Sequence, residues 1–140
     1  MWIGSTLGFY SVCEWEKKKW FRVRCEQDAR NLIKAADMEP SRFVVTPDCD
    51  YGWRVRCDSL EEYERCLKAI GREVNYHKFK PAISNTPDQA DKHDGYMNLW
   101  AWLAEHFGGG SYDWMHQKWK KRQRDANRIR TRRQSRSNAS

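Results

Sequence analysis

A chain of 140 residues with 32% charged side chains and a mean hydropathy of −1.00 has room for one modest core and none for a second catalytic domain. No stretch approaches the roughly 20 apolar residues of a spanning helix, and Met1 to Ser5 lacks the basic and apolar segments of a secretory signal, so the expected location is cytoplasmic. The net charge of +7 is unevenly divided: from Met115 to Ser140 ten Lys and Arg stand against the single acid Asp125, a segment of +9 on a body of −2.

Leu7 to Trp15 and Lys19 to Cys25 alternate polar and apolar residues as strands do, with Glu16-Lys17-Lys18 as the turn between them. Gln27 to Asp37 places Ala29, Leu32, Ile33 and Ala36 on one face of a helix. The pattern then repeats, since Arg22-Val23-Arg24-Cys25 and Arg54-Val55-Arg56-Cys57 match at a spacing of 32. Arg42 to Thr46 and Gly52 to Cys57 are the second pair of strands, with Pro47 to Asp50 turning between them. The second helix opens on a capping box, Ser59 with Glu62 three residues on, and carries the apolar stripe Leu60, Tyr63, Leu67, Ile70 and Val74. The order predicts an α+β fold: a duplicated ββα unit forming a four-stranded antiparallel sheet with both helices on one face.

Asn75 to Ile83 reads as a short helical turn broken at Pro81, and Ser84 to Asp94 as a polar loop. Tyr96 to Phe107 is apolar around most of a helix and must bury against something. Gly108-Gly109-Gly110 predicts a hinge, giving a domain over 1–107 and, over 108–140, the hinge with a basic segment that is disordered or conditionally helical.

Gly8-Phe9-Tyr10-Ser11-Val12, Asp50-Tyr51-Gly52-Trp53-Arg54, Val74 to Lys80 and Tyr96-Met97-Asn98-Leu99-Trp100 occur in an order that resembles a family of small uncharacterised bacterial and phage proteins, whose patterns are Gly-Phe-Phe-Ser, Asp-Tyr-x-Tyr-Arg, Asn-Phe-Lys and Tyr-His-x-x-Trp. The likeness covers roughly residues 2 to 103 and implies a phage or mobile-element setting without an activity. Met97 departs from it, standing where the pattern has His.

Three groups of residues are candidates for function. The first is the basic segment, Lys118, Lys120, Lys121, Arg122, Arg124, Arg128, Arg130, Arg132, Arg133 and Arg136, whose charges suit successive phosphates of RNA or DNA. Arg outnumbers Lys there, and a planar guanidinium both forks onto phosphate and stacks on bases. The second is a sheet face carrying Trp20, Arg22, Arg24, Arg54 and Arg56, a surface able to stack and clamp single strands. The third is the aromatic patch Trp100, Trp102 and Phe107, the alternative reading, which would dock a host protein or a second copy of the chain.

Chemistry is thinly signalled. Five cysteines, an odd number without a Cys-x-x-Cys pair, are expected as reduced thiols in small apolar spaces. The four histidines have no metal-site spacing, and no metal or cofactor is expected. No nucleophile elbow or phosphate-cradling glycine loop is present. Asp48, Asp50 and Glu61 or Glu62 would form a nuclease site only if tertiary structure gathered them. The expected protein is a non-enzymatic accessory factor. Trp114, Met115 and Trp119 give too short an apolar face for a membrane anchor.

Overall fold

The computed structural model describes residues 1–107, 120–122 and 124–125. It contains five antiparallel strands in one sheet: β1 (Trp2–Gly4), β2 (Phe9–Trp15), β3 (Lys18–Val23), β4 (Phe43–Val45) and β5 (Trp53–Cys57), in the order β1-β2-β3-β5-β4. Among the described residues up to Phe107, the sheet is accompanied by α1 (Glu26–Ala35), α2 (Leu60–Arg72), α3 (Phe79–Ser84) and α4 (His93–Phe107). The chain divides into two compact units, Met1–His93 and Asp94–Ser140.

The α+β class holds, but the expected four-stranded duplicated unit is replaced by five strands and unequal hairpins. β2 and β3 run for 7 and 6 residues, β4 and β5 for 3 and 5. The additional strand, β1, pairs Ile3 with Tyr10 and is too short for alternation to announce it. Trp15 pairs with Lys18, so the first turn is two residues long, and Glu16 and Lys17 both take positive φ (51° and 60°). That is the twist a two-residue hairpin requires, adopted here without glycine.

Alternation sorts the side chains. Val12, Phe21, Val55 and Phe43 stand abreast across β2, β3, β5 and β4 on the side facing α1 and α2. Tyr10, Phe21, Val23, Leu32, Val55 and Cys66 are wholly buried, and Phe21 meets Tyr10 edge-on and Tyr63 at a tilt. Helix α1 ends in a Schellman motif, with Met38 N–H donating to Ile33 O (2.9 Å) and Asp37 in the left-handed region at φ 49°.

Helix α2 begins as its capping box predicts: Ser59 Oγ accepts from Glu62 N–H at 3.2 Å. Its buried side is Glu62, Cys66, Ala69 and Ile70, whereas Leu60 and Val74 are 66% and 63% exposed. Leu60 opens the first turn and Val74 lies past the C-cap, so neither reaches the sheet. Pro81 does not break α3. It lies in the first turn, where a missing N–H breaks no helical hydrogen bond.

The segment expected as a loop, Ser84 to Asp94, is ordered by burial. Gln89 is fully buried, Ala90–Lys92 form a 3-10 turn, and α4 starts at His93, three residues before its expected start.

Candidate nucleic-acid interface

Strand register sets the arginines side by side on the sheet face opposite α1 and α2. Ser11, Arg22, Arg54 and Val44 form one row across β2, β3, β5 and β4, and Cys13, Trp20 and Arg56 the next. Arginines directly abreast repel, so each must find compensation. Arg22 donates to Ser11 Oγ at 2.8 Å, and Arg54 donates through Nε to Thr46 Oγ1 at 3.1 Å. Arg22 and Arg24 both lie over the Tyr51 ring, each guanidinium 4.7 Å from its centroid. The contact holds both planes in place, and Tyr51 is only 7% exposed. Arg24 also faces Asp50 at 3.6 Å.

Arg56 belongs to a denser network. Asp58 is ion-paired with Arg56 and Lys18, both at 2.9 Å, and with Arg42 at 2.6 Å, and it accepts a hydrogen bond from Arg56 Nη2 at 3.2 Å. Arg42 also reaches Glu62 Oε1 at 2.9 Å, and Glu62 Oε2 accepts from Asp58 N–H at 2.6 Å. The Lys18 hydrogen bond, with Arg56 and Arg42 behind it, overcomes the effect of partial burial and holds the Asp58 carboxyl below its usual range. Burial pushes Glu62 up, but the Arg42 hydrogen bond, the Asp58 amide and the Arg42 charge outweigh it and leave Glu62 lowered as well. The face therefore carries less charge than its sequence suggests. Asp50 and Asp58 offset Arg24 and Arg56, and Arg22 and Arg54 retain their charge beside neutral hydroxyls.

Trp20 is structural in its contacts: 7% exposed, it donates Nε1–H to Trp15 O at 3.2 Å and packs against the Trp15 ring. The exposed rings on this face are Trp2 and Trp15, at 65% and 55%. Neither was a sequence candidate, although the parity of Trp15 with Cys13 and Ser11 would have placed it there.

In the basic segment, Lys120, Lys121, Arg122 and Arg124 lie on helical backbone and are exposed, with Lys120 paired to Glu105 at 3.0 Å. Lys118, Arg128, Arg130, Arg132, Arg133 and Arg136, like the glycine hinge, lie outside the described residues. On α4, Trp102 and Phe107 are exposed at 52% and 78%, the Trp102 and His106 rings stack at 4.1 Å, and Trp100 is half-buried.

A buried carboxylate, missed by the sequence reading, organises the other end of the Met1–His93 unit. Asp28, 1% exposed, accepts from Phe9 N–H and Gln89 Nε2–H, each at 3.0 Å, and pairs with Lys92. Its backbone carbonyl takes the Tyr10 hydroxyl at 3.0 Å. Gly8 is required beside it, because a Cβ there would lie 2.5 Å from Asp28 Cγ. The available signal was an acid in the apolar stripe of α1, one turn before Leu32. Next to Asp28 opens a cleft of about 420 Å³ lined by Thr6, Asn31, Glu73, Asn75, Thr86 and Asp88. Two carboxylates and no Lys or Arg give it the wrong sign for phosphate.

Among the described residues, no three His, Cys, Asp or Glu side chains are grouped to hold a metal ion, and no helix is long and apolar enough to cross a membrane. Asp50 and Glu62, considered above for a nuclease site, are engaged with Arg24 and Arg42. The chain matches no protein-family model, no curated protein and no solved structure.

Proposed function

We propose that the protein is a non-catalytic nucleic-acid-binding accessory factor of a phage or mobile element, acting in the cytoplasm and capturing RNA or DNA through its arginine-rich C-terminal segment. The observation that carries this reading is the segregation of charge, +9 on residues 115–140 against −2 on the rest. Exposure of Lys121, Arg122 and Arg124 on helical backbone supports it. The mechanism is electrostatic: each phosphate neutralised by a cation releases a condensed counterion, so affinity arises from entropy and falls with salt. Arg22 and Arg54, with Trp15 farther along the same face, supply a second, weaker surface on the sheet for nucleic acid.

The test is a titration of the full chain against single- and double-stranded RNA and DNA over a range of salt concentrations. Replacing Arg128, Arg130, Arg132 and Arg133 by Gln should reduce the slope of log affinity against log salt by about 3 to 4. An unchanged slope and affinity would remove the segment from the function.

A second reading, a protein-interaction module, is favoured by the exposed Trp102 and Phe107 of α4. It gains ground if neither form of the protein binds nucleic acid at physiological salt and Trp102→Ala alters self-association measured by sedimentation.

A further inference from the structure

Cys57 ends β5 and Cys66 lies in the second turn of α2, nine residues on. The fold brings their sulfurs to 4.0 Å, with the residues 1% and 0% exposed. Both are free thiols. Two sulfurs at this distance are in van der Waals contact, and closing them to a bond of about 2.05 Å takes a movement of about 2 Å. Cys57 also forms part of the wall of a cleft of about 150 Å³ whose other residues are Lys17, Lys19, Asp58, Ser59 and Leu60. The carboxylate in that wall, Asp58, is already matched by Lys18, Arg42 and Arg56, and Lys19 is paired with Glu14, so Lys17 is the cation the cleft presents to a ligand.

We propose that Cys57 and Cys66 are a redox-responsive dithiol that exchanges with anionic low-molecular-weight disulfides, of which oxidised glutathione is the type, entering by the cleft at the start of α2. The Cys57 sulfur gives up its proton and attacks one sulfur of the disulfide. That S–S bond breaks, a small thiolate leaves and takes up the proton, and Cys57 carries a mixed disulfide. Cys66 then loses its proton and attacks the Cys57 sulfur, forming the Cys57–Cys66 bond and expelling the second small thiolate, which is protonated in turn. The protein loses two electrons and two protons, and the small disulfide becomes two thiols.

Lys17 gives the cleft its selectivity, since the reagent's carboxylates approach its ammonium group at the rim. The facing Cys66 thiol and burial together push the Cys57 thiol up, so its thiolate is scarce at neutral pH and exchange is slow. A bond there ties the end of β5 to α2 across the core, and the chain gains a covalent state that follows the thiol balance around it.

The experiment incubates the full-length protein with oxidised glutathione for several hours, quenches with acid and an alkylating agent, and maps the cysteines by mass spectrometry. The expected product is a Cys57–Cys66 linked peptide lighter by two hydrogens. A Cys66→Ala chain should stop with glutathione on Cys57, and a Lys17→Gln chain should form the bond severalfold more slowly. The wild-type map decides even if Cys66→Ala fails to fold. If Cys57 and Cys66 remain alkylated while exposed Cys49 takes up glutathione, the two thiols merely fill the core and the proposal fails. Equal rates with oxidised glutathione and with an uncharged disulfide such as hydroxyethyl disulfide would overturn the selectivity assigned to Lys17.

Discussion

Glu62 shows how one side chain can serve a helix and a sheet together. It donates its amide to Ser59, accepts from the Asp58 amide and binds Arg42, all at about a tenth exposure. Its carboxyl and that of Asp58 are lowered from reference values of 4.5 and 3.8. Between the unfolded and folded values the unfolded chain binds more protons, so these groups stabilise the fold fully at neutral pH. That stabilisation is lost as pH falls below the reference values and through the lowered ones. Glu62→Gln should therefore reduce stability by about 1–3 kcal/mol at pH 7, and its urea midpoint should change less than the parent's between pH 5 and pH 2.5. Parallel acid profiles would show that the carboxylate contributes only shape. Asp28 is the buried counterpart: it keeps its charge out of water by accepting from two elements and pairing with Lys92, and it leaves Gly8 no room for a side chain.

Among the elements, the ends of helices were readable where a side chain makes the cap and unreadable where the backbone does. Ser59 and Glu62 announce α2. Helix α1 has no side-chain cap at Cys25 and closes on a left-handed Asp37, a position at which glycine is the usual residue. Asp37→Gly should then stabilise the protein by about 0.5–1 kcal/mol, read as a higher urea midpoint at constant slope; a loss would mean that the Asp37 side chain holds something the backbone geometry does not reveal. Strands β2, β3 and β5 were legible because Tyr10, Val12, Phe21, Val23, Val55 and Cys57 recur at every second position, with Ser11, Arg22, Arg54 and Arg56 among the residues between them. Strand β1 was not, because three residues show no period, and the repeat at a spacing of 32 suggested a symmetry that the unequal hairpins lack. Gln89 was read as part of a loop because the carboxylate that buries it is sixty-one residues away in sequence. The arginine face was legible in composition and parity. Its pairing with Tyr51, Asp50 and Asp58 was not, since those partners come from turns and not from alternating strands.

At the scale of the whole molecule, charge and packing are segregated. The hydrophobic cluster is drawn entirely from residues between Tyr10 and Ile70 with a few flanking side chains, while the excess positive charge lies beyond Met115. Substitutions in the basic segment should accordingly act on binding and salt dependence, while those in the cluster act on stability. The strand order carries a consequence for time as well as for shape. Strands β2 and β3 meet through a two-residue turn and β4 and β5 through a local loop, but β3 pairs with β5, joining Phe21 to Val55. Both hairpins can form early from neighbouring residues, and the slow event is the closure that brings them together over α1, whose entropy must be met before the shared core rewards it. Truncating Val55 to Ala should therefore slow refolding in stopped-flow measurements, whereas Ile83→Ala, equally buried but in α3, should chiefly hasten unfolding. The reverse pattern would move the nucleus to the segment around Gln89, and the seam between the hairpins would then be the last part of the protein to form.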